Sequence, residues 1–372
     1  MLVYWLVFFA LSYLSVSMSL VGFSSARISS SASGITIWSI TFFALLFLLG
    51  FRHEVGGDWI QYLRMFEIVQ YQNEFDTTII DRLLGDPGYQ ILMHLSLKLE
   101  TGIYGVNLLC ALIFLSGLFF FASQLPKPML AIAIAFPYLI VIVGMGYTRQ
   151  SAAIGLVMSA LVYFGRKDNL KFIILVLMAA LFHKSAVIFT GLLFFAGEKF
   201  SFFRLLIALM FSLLMGVIFI AESLESMVKH YVLEQYNSDG AGIRLLMNAL
   251  CSLVLLVRLD QFNFLDGAKT LISILAKVSI FMFLLLFFGV GEVLLDRLSL
   301  YLLPIQLIFF AGLSKSLNLH SKQELIVDCL ILLLYAIIFY VWLNFATHAV
   351  FWLPYNNIIS EPVITPIIFS NS

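Results

Sequence analysis

Apolar stretches long enough to cross a membrane recur along the whole chain, separated by short turns that hold most of the charge. A span needs about 20 apolar residues. On that scale the pattern predicts about twelve helices, near 2–22, 35–51, 102–122, 129–147, 149–165, 168–182, 186–198, 204–221, 243–259, 270–289, 297–313 and 324–345. No Lys or Arg precedes Arg27, so the basic start of a cleaved signal peptide is missing and 2–22 is expected to stay as a spanning helix. Hydrocarbon tolerates neither open sheet edges nor bare loops. The expected fold is therefore all-α, a polytopic helical bundle forming one transmembrane domain over 1–372.

Two stretches predict bends at membrane depth. The run from Met129 to Gly165 holds Arg149 as its only charge. As one helix it would be roughly 55 Å long, against a hydrocarbon core of about 30 Å, so it must turn, at Gly144, Gly146 and Tyr147. The run from Leu170 to Lys199 is fenced by basic residues at both ends and carries His183, Lys184 and Ser185 near its middle. Both fences belong on one side of the membrane, so this run is expected to be a hairpin with those three residues at its tip.

Basic residues also set the orientation. Arg27, Lys127, the Arg166/Lys167/Lys171 cluster, Lys199 with Arg204, Arg258 with Lys269, and Lys315 with Lys322 fall in alternate connections and mark the cytoplasmic side. The outward set comprises 52–101, the Arg149 and His183 bends, 222–242, 290–296 and the tail from 346. Within the long 52–101 loop, Trp59, Tyr62, Leu63, Phe66 and Val69 recur at helical spacing. They predict an amphipathic interfacial helix over 58–71 with Trp and Tyr at headgroup level. Asp86 and Pro87 start a second short helix as N-cap and first residue.

Composition agrees with the pattern. With 62% hydrophobic and only 11% charged residues, the chain has too little polar surface to cover a water-soluble globule. The formal net charge of zero gives no reason to expect nucleic acid. Cys110, Cys251 and Cys329 sit apart inside apolar segments, which argues against a disulfide framework. The six histidines form no HExxH pairing, so no zinc site is expected, and no phosphate loop or nucleophile elbow occurs.

The remaining polar groups gather on the outward side. They are Arg52 to Asp58 with Tyr62, Asp86 to Tyr89, Tyr147 to Gln150, Phe182 to Ser185, and Asp296-Arg297 with Tyr301. Ionisable residues at membrane depth are costly and mark functional sites. Arg149 begins a helix, where the dipole disfavours a cation. Arg149, Lys184 and Arg297 together suit a diphosphate, because guanidinium forks bind phosphate oxygens bidentately. Each residue also has a duller role open to it: Arg297 in an ion pair with Asp296, His183 bonded to a backbone carbonyl, Lys184 snorkelling, and Asp58 capping the loop helix.

At these residues the chain resembles the EpsG-type branch of the Wzy-like polysaccharide polymerases. The likeness runs through Arg52xxxGlyxAspxxxTyr62, Gly88-Tyr89, Arg149-Gln150, Phe182-His183-Lys184-Ser185, Arg297xxxTyr301 and Pro354-Tyr355. It implies a GT-C-like glycosyltransferase of O-antigen, capsule or exopolysaccharide synthesis in the bacterial inner membrane, with its site facing the periplasm or exterior. The implied reaction moves a growing glycan from undecaprenyl diphosphate onto an incoming undecaprenyl-diphosphate-linked oligosaccharide repeat unit. It needs no nucleotide sugar, ATP, metal or other cofactor, and a chain-length regulator protein is an implied partner. Substrate contacts are expected from Arg52, Arg149, Gln150, Lys184, Arg297, Tyr301 and Tyr62. His183 and Asp58 compete as catalytic base, with His183 favoured because a neutral imidazole is matched to neutral pH. Two other functions compete: a flippase for the same lipid-linked sugar, which calls for paired halves and polar groups reachable from both faces, and a membrane O-acyltransferase with His183 as base.

Overall fold

The computed structural model describes residues 1–21, 31–71, 86–195, 240–262, 266–288 and 292–359. Among these residues the fold is all helical, and the one β-bridge joins Arg52 to Asn357. The helices are α1 (Leu2–Leu20), α2 (Ala32–Gly50), α3 (Trp59–Tyr71), α4 (Pro87–Lys98), α5 (Gly102–Ala122), α6 (Pro128–Gly146), α7 (Thr148–Gly165) and α8 (Asn169–Phe182). A 3-10 stretch, Lys184–Phe195, follows α8. Next come α9 (Ala241–Val257), α10 (Asp266–Leu285), α11 (Glu292–Ser299), α12 (Pro304–Ser316) and α13 (Ser321–Phe345).

Seven of the described helical segments are long and apolar enough to cross a membrane. Three more apolar helices are shorter: Asn169–Phe182, Lys184–Phe194 and Ala241–Val257. The expectation of about twelve spans is thus met in part among the described residues. The arm before His183, Asn169–Phe182, falls short of the ~20 residues a span requires, so it is not a complete crossing by itself. The predicted helix at 204–221 and the loop at 222–242, apart from its last residues, lie outside the described residues.

Local chemistry explains where the helices begin and break. Ser31 and Asp168 accept from the backbone N–H groups of Gly34 (3.1 Å) and Lys171 (3.2 Å), capping α2 and α8. Pro87, Pro128 and Pro304 occupy first positions, where a missing N–H costs nothing. Pro137 falls inside α6 and removes a ladder donor there, and the helix widens into a π segment from Phe136 to Val143. The helix ends where the glycines predicted, at Gly146, and Tyr147 turns the chain with φ −119° and ψ 65°. At the other predicted bend α8 stops at Phe182 and His183 is extended, with φ −156° and ψ 115°.

The polar residues sort to the two ends of the bundle. At one end Lys127 pairs with Asp328 (2.6 Å) and Glu324 (3.3 Å), Ser19 donates to Asp328 (3.1 Å), and Arg166 donates to Gln124 (2.7 Å). These belong to the connections expected to be cytoplasmic, and they place α6 and α7 antiparallel. The opposite end gathers Arg52, Asp58, Asp86, Arg149, His183, Arg244 and Arg297. Between the ends, α5 and α7 approach so closely that a side chain on Gly117 would overlap the Gly155 carbonyl.

One expectation about the outer loop is corrected. Helix α3 forms where the periodicity placed it, but Trp59, Tyr62 and Phe66 are buried against protein and not set among lipid headgroups. The face left open carries Ile60, Ile68 and Tyr71.

Candidate active site

The loop from Phe51 to Asp58 is held in place by the tail after α13. His53 donates its backbone N–H to Asn356 (3.0 Å), Gly56 to Phe351 (2.8 Å), and Ile358 to Phe51 (3.0 Å). Trp352 donates from its indole to the Val141 carbonyl (3.0 Å), in the π segment of α6. Its ring lies where a Cβ atom on Gly146 would be, so that glycine is needed for this close approach, and it packs beside Gly57. Gly56 has φ +116° and its Cα faces the Met145 carbonyl, a conformation and a contact that only glycine permits.

Arg52 forms the buried centre of that loop, at 1% exposure. Its guanidinium donates to the carbonyls of Val55 (3.2 Å) and Leu49 (2.5 Å), to the Asn107 side chain (3.0 Å) and to the Thr148 hydroxyl (2.8 Å). Arg52 was expected to touch substrate; in the structure these contacts tie the Asp58 loop to the first residue of α7. A buried guanidinium is retained only when its donors are met, and here four protein acceptors meet them.

Asp58 sits half-buried at the end of that loop. Among the described residues its carboxylate makes no hydrogen bond or ion pair, although Arg297 and Arg149 are within electrostatic reach. Burial raises its pKa above the ordinary value, and the two arginines only partly offset the rise. The carboxylate is therefore more basic than an ordinary aspartate.

Arg149 opens α7 and pairs with Asp86 at 2.5 Å. Asp86 is the N-cap residue of α4 as predicted, yet its carboxylate makes no capping bond; it accepts from Arg149. The guanidinium carbon lies 5.6 Å from the Tyr62 ring centroid, and Tyr62 in turn packs on Tyr89 at 5.5 Å. This pairing answers the unfavourable dipole at the start of α7, while the buried Arg149 Nε makes no hydrogen bond. Gln150, the next residue, donates to the backbone carbonyl of Arg297 (2.8 Å), so α7 positions both arginines.

His183 caps the end of α8 between these cations. Its Nδ1 is 2.6 Å from the Ser185 hydroxyl, which donates onward to the buried Tyr301 hydroxyl at 3.2 Å. With Ser185 donating onward, Nδ1 carries the ring hydrogen and Nε2 is left as an acceptor. Burial, and then Arg149, Arg297 and Lys184, push the imidazole pKa down to about 3. Lys184 is also held below its ordinary value, by burial and by Arg149, against the pull of Asp86.

Arg297 was weighed as a partner of its neighbour Asp296. Asp296 is instead bound by Arg244, with contacts of 2.7 and 2.6 Å. Among the described residues the Arg297 guanidinium makes no hydrogen bond or ion pair; it is exposed and within electrostatic reach of Asp58 and His183. Arg244 had not been singled out from the sequence. Its signal was the same as that of Arg149, a cation in the first turn of a helix.

The structure thus brings together Asp58, His183, Arg149, Lys184 and Arg297 at one end of the bundle. Arg52, Gln150, Tyr62 and Tyr301 lie behind them as supports. Cations surrounding an unpaired carboxylate and a neutral imidazole can hold an anionic group while a proton is removed beside it. Among known proteins, the family model described as the EpsG family matches residues 35–357. Neither the curated proteins nor the solved structures gave a match.

Proposed function

The chain belongs to the EpsG family, a membership that points to polysaccharide polymerisation, and from that premise we propose that it polymerises lipid-linked oligosaccharide repeat units as a GT-C-like, inverting glycosyltransferase. The reaction takes place at the outer face of the inner membrane. An acceptor hydroxyl on the incoming unit attacks the anomeric carbon of the growing glycan, the bond from that carbon to the carrier diphosphate breaks, and the diphosphate departs with the electron pair. The observation that carries this reading is the half-buried Asp58 carboxylate, which has no hydrogen bond or ion pair among the described residues and lies within electrostatic reach of Arg297 and Arg149.

Asp58 takes the acceptor proton. Its raised pKa makes it the stronger base, whereas an imidazole with a pKa of about 3 binds a proton weakly. His183 then acts through its Nε2 as a neutral acceptor that orients a sugar hydroxyl. Arg149, Lys184 and Arg297 hold the departing diphosphate, whose charge grows as the bond breaks. Arg52, Gln150, Tyr62 and Tyr301 position these groups without touching the reacting atoms. The gathering of these groups at a single end favours transfer over transport, because a flippase needs such groups from both faces.

Purified protein incubated with undecaprenyl-diphosphate-linked repeat units and no nucleotide should yield a ladder of glycan lengths. Movement of single units across a vesicle bilayer without a ladder would overturn the proposal in favour of transport. A ladder that appears only with an added acyl donor or nucleotide would overturn it as well.

A further inference from the structure

The stretch after α13, residues 347–359, runs back over the site end of the bundle and takes hold of four separate elements. The Tyr4 hydroxyl on α1 donates to the Trp352 carbonyl (2.8 Å), the Tyr355 hydroxyl donates to the Leu48 carbonyl of α2 (3.0 Å), and the Trp352 indole donates to Val141 of α6 (3.0 Å). The fourth element is the Asp58 loop, held by backbone bonds at Phe51, His53 and Gly56.

Trp352 is the buried centre of this stretch, at 2% exposure. Its indole stands between the two segments that carry Asp58 and Arg149. Those segments touch directly at Gly56, whose Cα meets the Met145 carbonyl, and the indole lies against the next residue of each. Its Cη2 atom is 3.4 Å from where a Cβ on Gly57 would be and 3.0 Å from where one on Gly146 would be. Gly57 immediately precedes Asp58, and Gly146 ends α6 three residues before Arg149. The hydrogen bond to Val141 and the edge-on packing of Trp342 at 5.2 Å keep the ring from swinging aside.

We propose that Trp352 is a positioning residue: through Gly57 and Gly146 it sets the separation of the Asp58 carboxylate from the Arg149 guanidinium, with the stretch after α13 as the strap that holds it there. Its effect on catalysis rests on the polymerase reading. In that reading Asp58 serves the attacking oxygen and Arg149 the departing one, and a shift of about 1 Å in such a pair lowers the rate by up to ~10²-fold.

In the full-length protein in phospholipid nanodiscs, Trp352→Phe should lower kcat for the glycan ladder about 10- to 100-fold and leave the KM for the lipid-linked repeat unit within about twofold. The acid limb of the kcat profile should also move toward the ordinary carboxylate range, because water reaches a loosened Asp58. A merely structural role would lower the amount of folded protein and leave that limb in place. Gly146→Ala pushes the ring aside and should give the same loss; adding Trp352→Phe to it should restore part of the rate, since the shorter ring lacks the atoms that the new methyl group meets. Asp58→Cys reports the geometry without turnover: its reaction with a bulky maleimide, mapped by mass spectrometry, should speed up several-fold when Trp352→Phe is added. An unchanged kcat and acid limb in Trp352→Phe would overturn the proposal. So would an equal loss from Val350→Ala, which alters an exposed side chain in the same stretch. If the maleimide reaction responds but the wild-type protein makes no ladder, the polymerase reading alone fails; a ladder that Trp352→Phe leaves unaltered counts against the positioning role alone.

Discussion

Asp58 and His183 face the same arginines, and burial moves both toward their neutral forms. For Asp58 the neutral form is protonated, so activity should fall as pH drops through its raised pKa. For His183 it is unprotonated, so no limb of the rate profile should appear near the ordinary imidazole value of 6.5. Asp58→Asn is expected to lower kcat by about 10²–10⁴-fold. The same variant should unfold at a higher temperature at neutral pH. A carboxylate with a raised pKa binds its proton more tightly when folded, so ionisation costs stability as pH rises from the ordinary range through the raised value. Thermal scans of both proteins against pH check this, and equal melting temperatures at neutral pH would contradict it. The sign for His183 is opposite: the folded state resists protonation, so stability is full above 6.5 and declines as pH falls toward about 3, a decline that His183→Gln should flatten. At Arg149 the fork binds Asp86 and stacks on Tyr62, so Arg149→Lys should lose tenfold or more in kcat, as read from the glycan ladder.

The breaks between helices matter as much as the helices themselves. Arg149 reaches Asp86 because α6 ends at Gly146 and α7 starts afresh one residue later, and His183 reaches Tyr301 through Ser185 because α8 ends at Phe182. Both breaks were legible from length, glycines and basic fences. The π segment in α6 and the 3-10 form after His183 were not: Pro137 marks where the α6 ladder loses a donor but not whether the helix kinks, breaks or widens. Helix α7 is fixed by backbone contact with α5 at Gly117 and Gly155. Gly117→Ala sets a methyl group against backbone that cannot swing away, and it is expected to cost about 1–3 kcal/mol. Because α7 carries Arg149 and Gln150, this variant should lose activity as well as thermal stability. A fully active protein with wild-type melting would show the contact to be looser than described.

At the scale of the molecule, the two ends hold different kinds of charge. The site end holds separate pairs, Arg149 with Asp86 and Arg244 with Asp296, and leaves Asp58 without a partner among the described residues, whereas the other end joins Lys127, Asp328, Glu324 and Lys315 in a network with Ser19 and Ser314. Asp328 is fully buried, so Lys127→Met strands a carboxylate and should cost about 3–5 kcal/mol. Adding Asp328→Leu should recover part of that loss, and thermal unfolding of the single and double variants measures it. The orientation is checked in whole cells with a thiol reagent that does not cross membranes. His53→Cys should react from outside and Lys167→Cys should not, while Cys110 and Cys251 stay silent because they are buried.

By itself the sequence determined the class of the molecule, the places where helices start and break, and the gathering of most of the site residues at one end. Those features follow from local rules: span length, dipoles at helix ends, and basic residues between spans. Only the tertiary structure decided which groups each of these residues meets. It buried Arg52 under four acceptors, gave Asp296 to Arg244 with Arg297 left within electrostatic reach of Asp58, and withdrew His183 from water among cations, which together keep it neutral. It also showed that the arm before His183 and α9 are shorter than full spans. Roles depend on partners distant in sequence and on how deeply each group is withdrawn from water, and no pattern along the chain carries either.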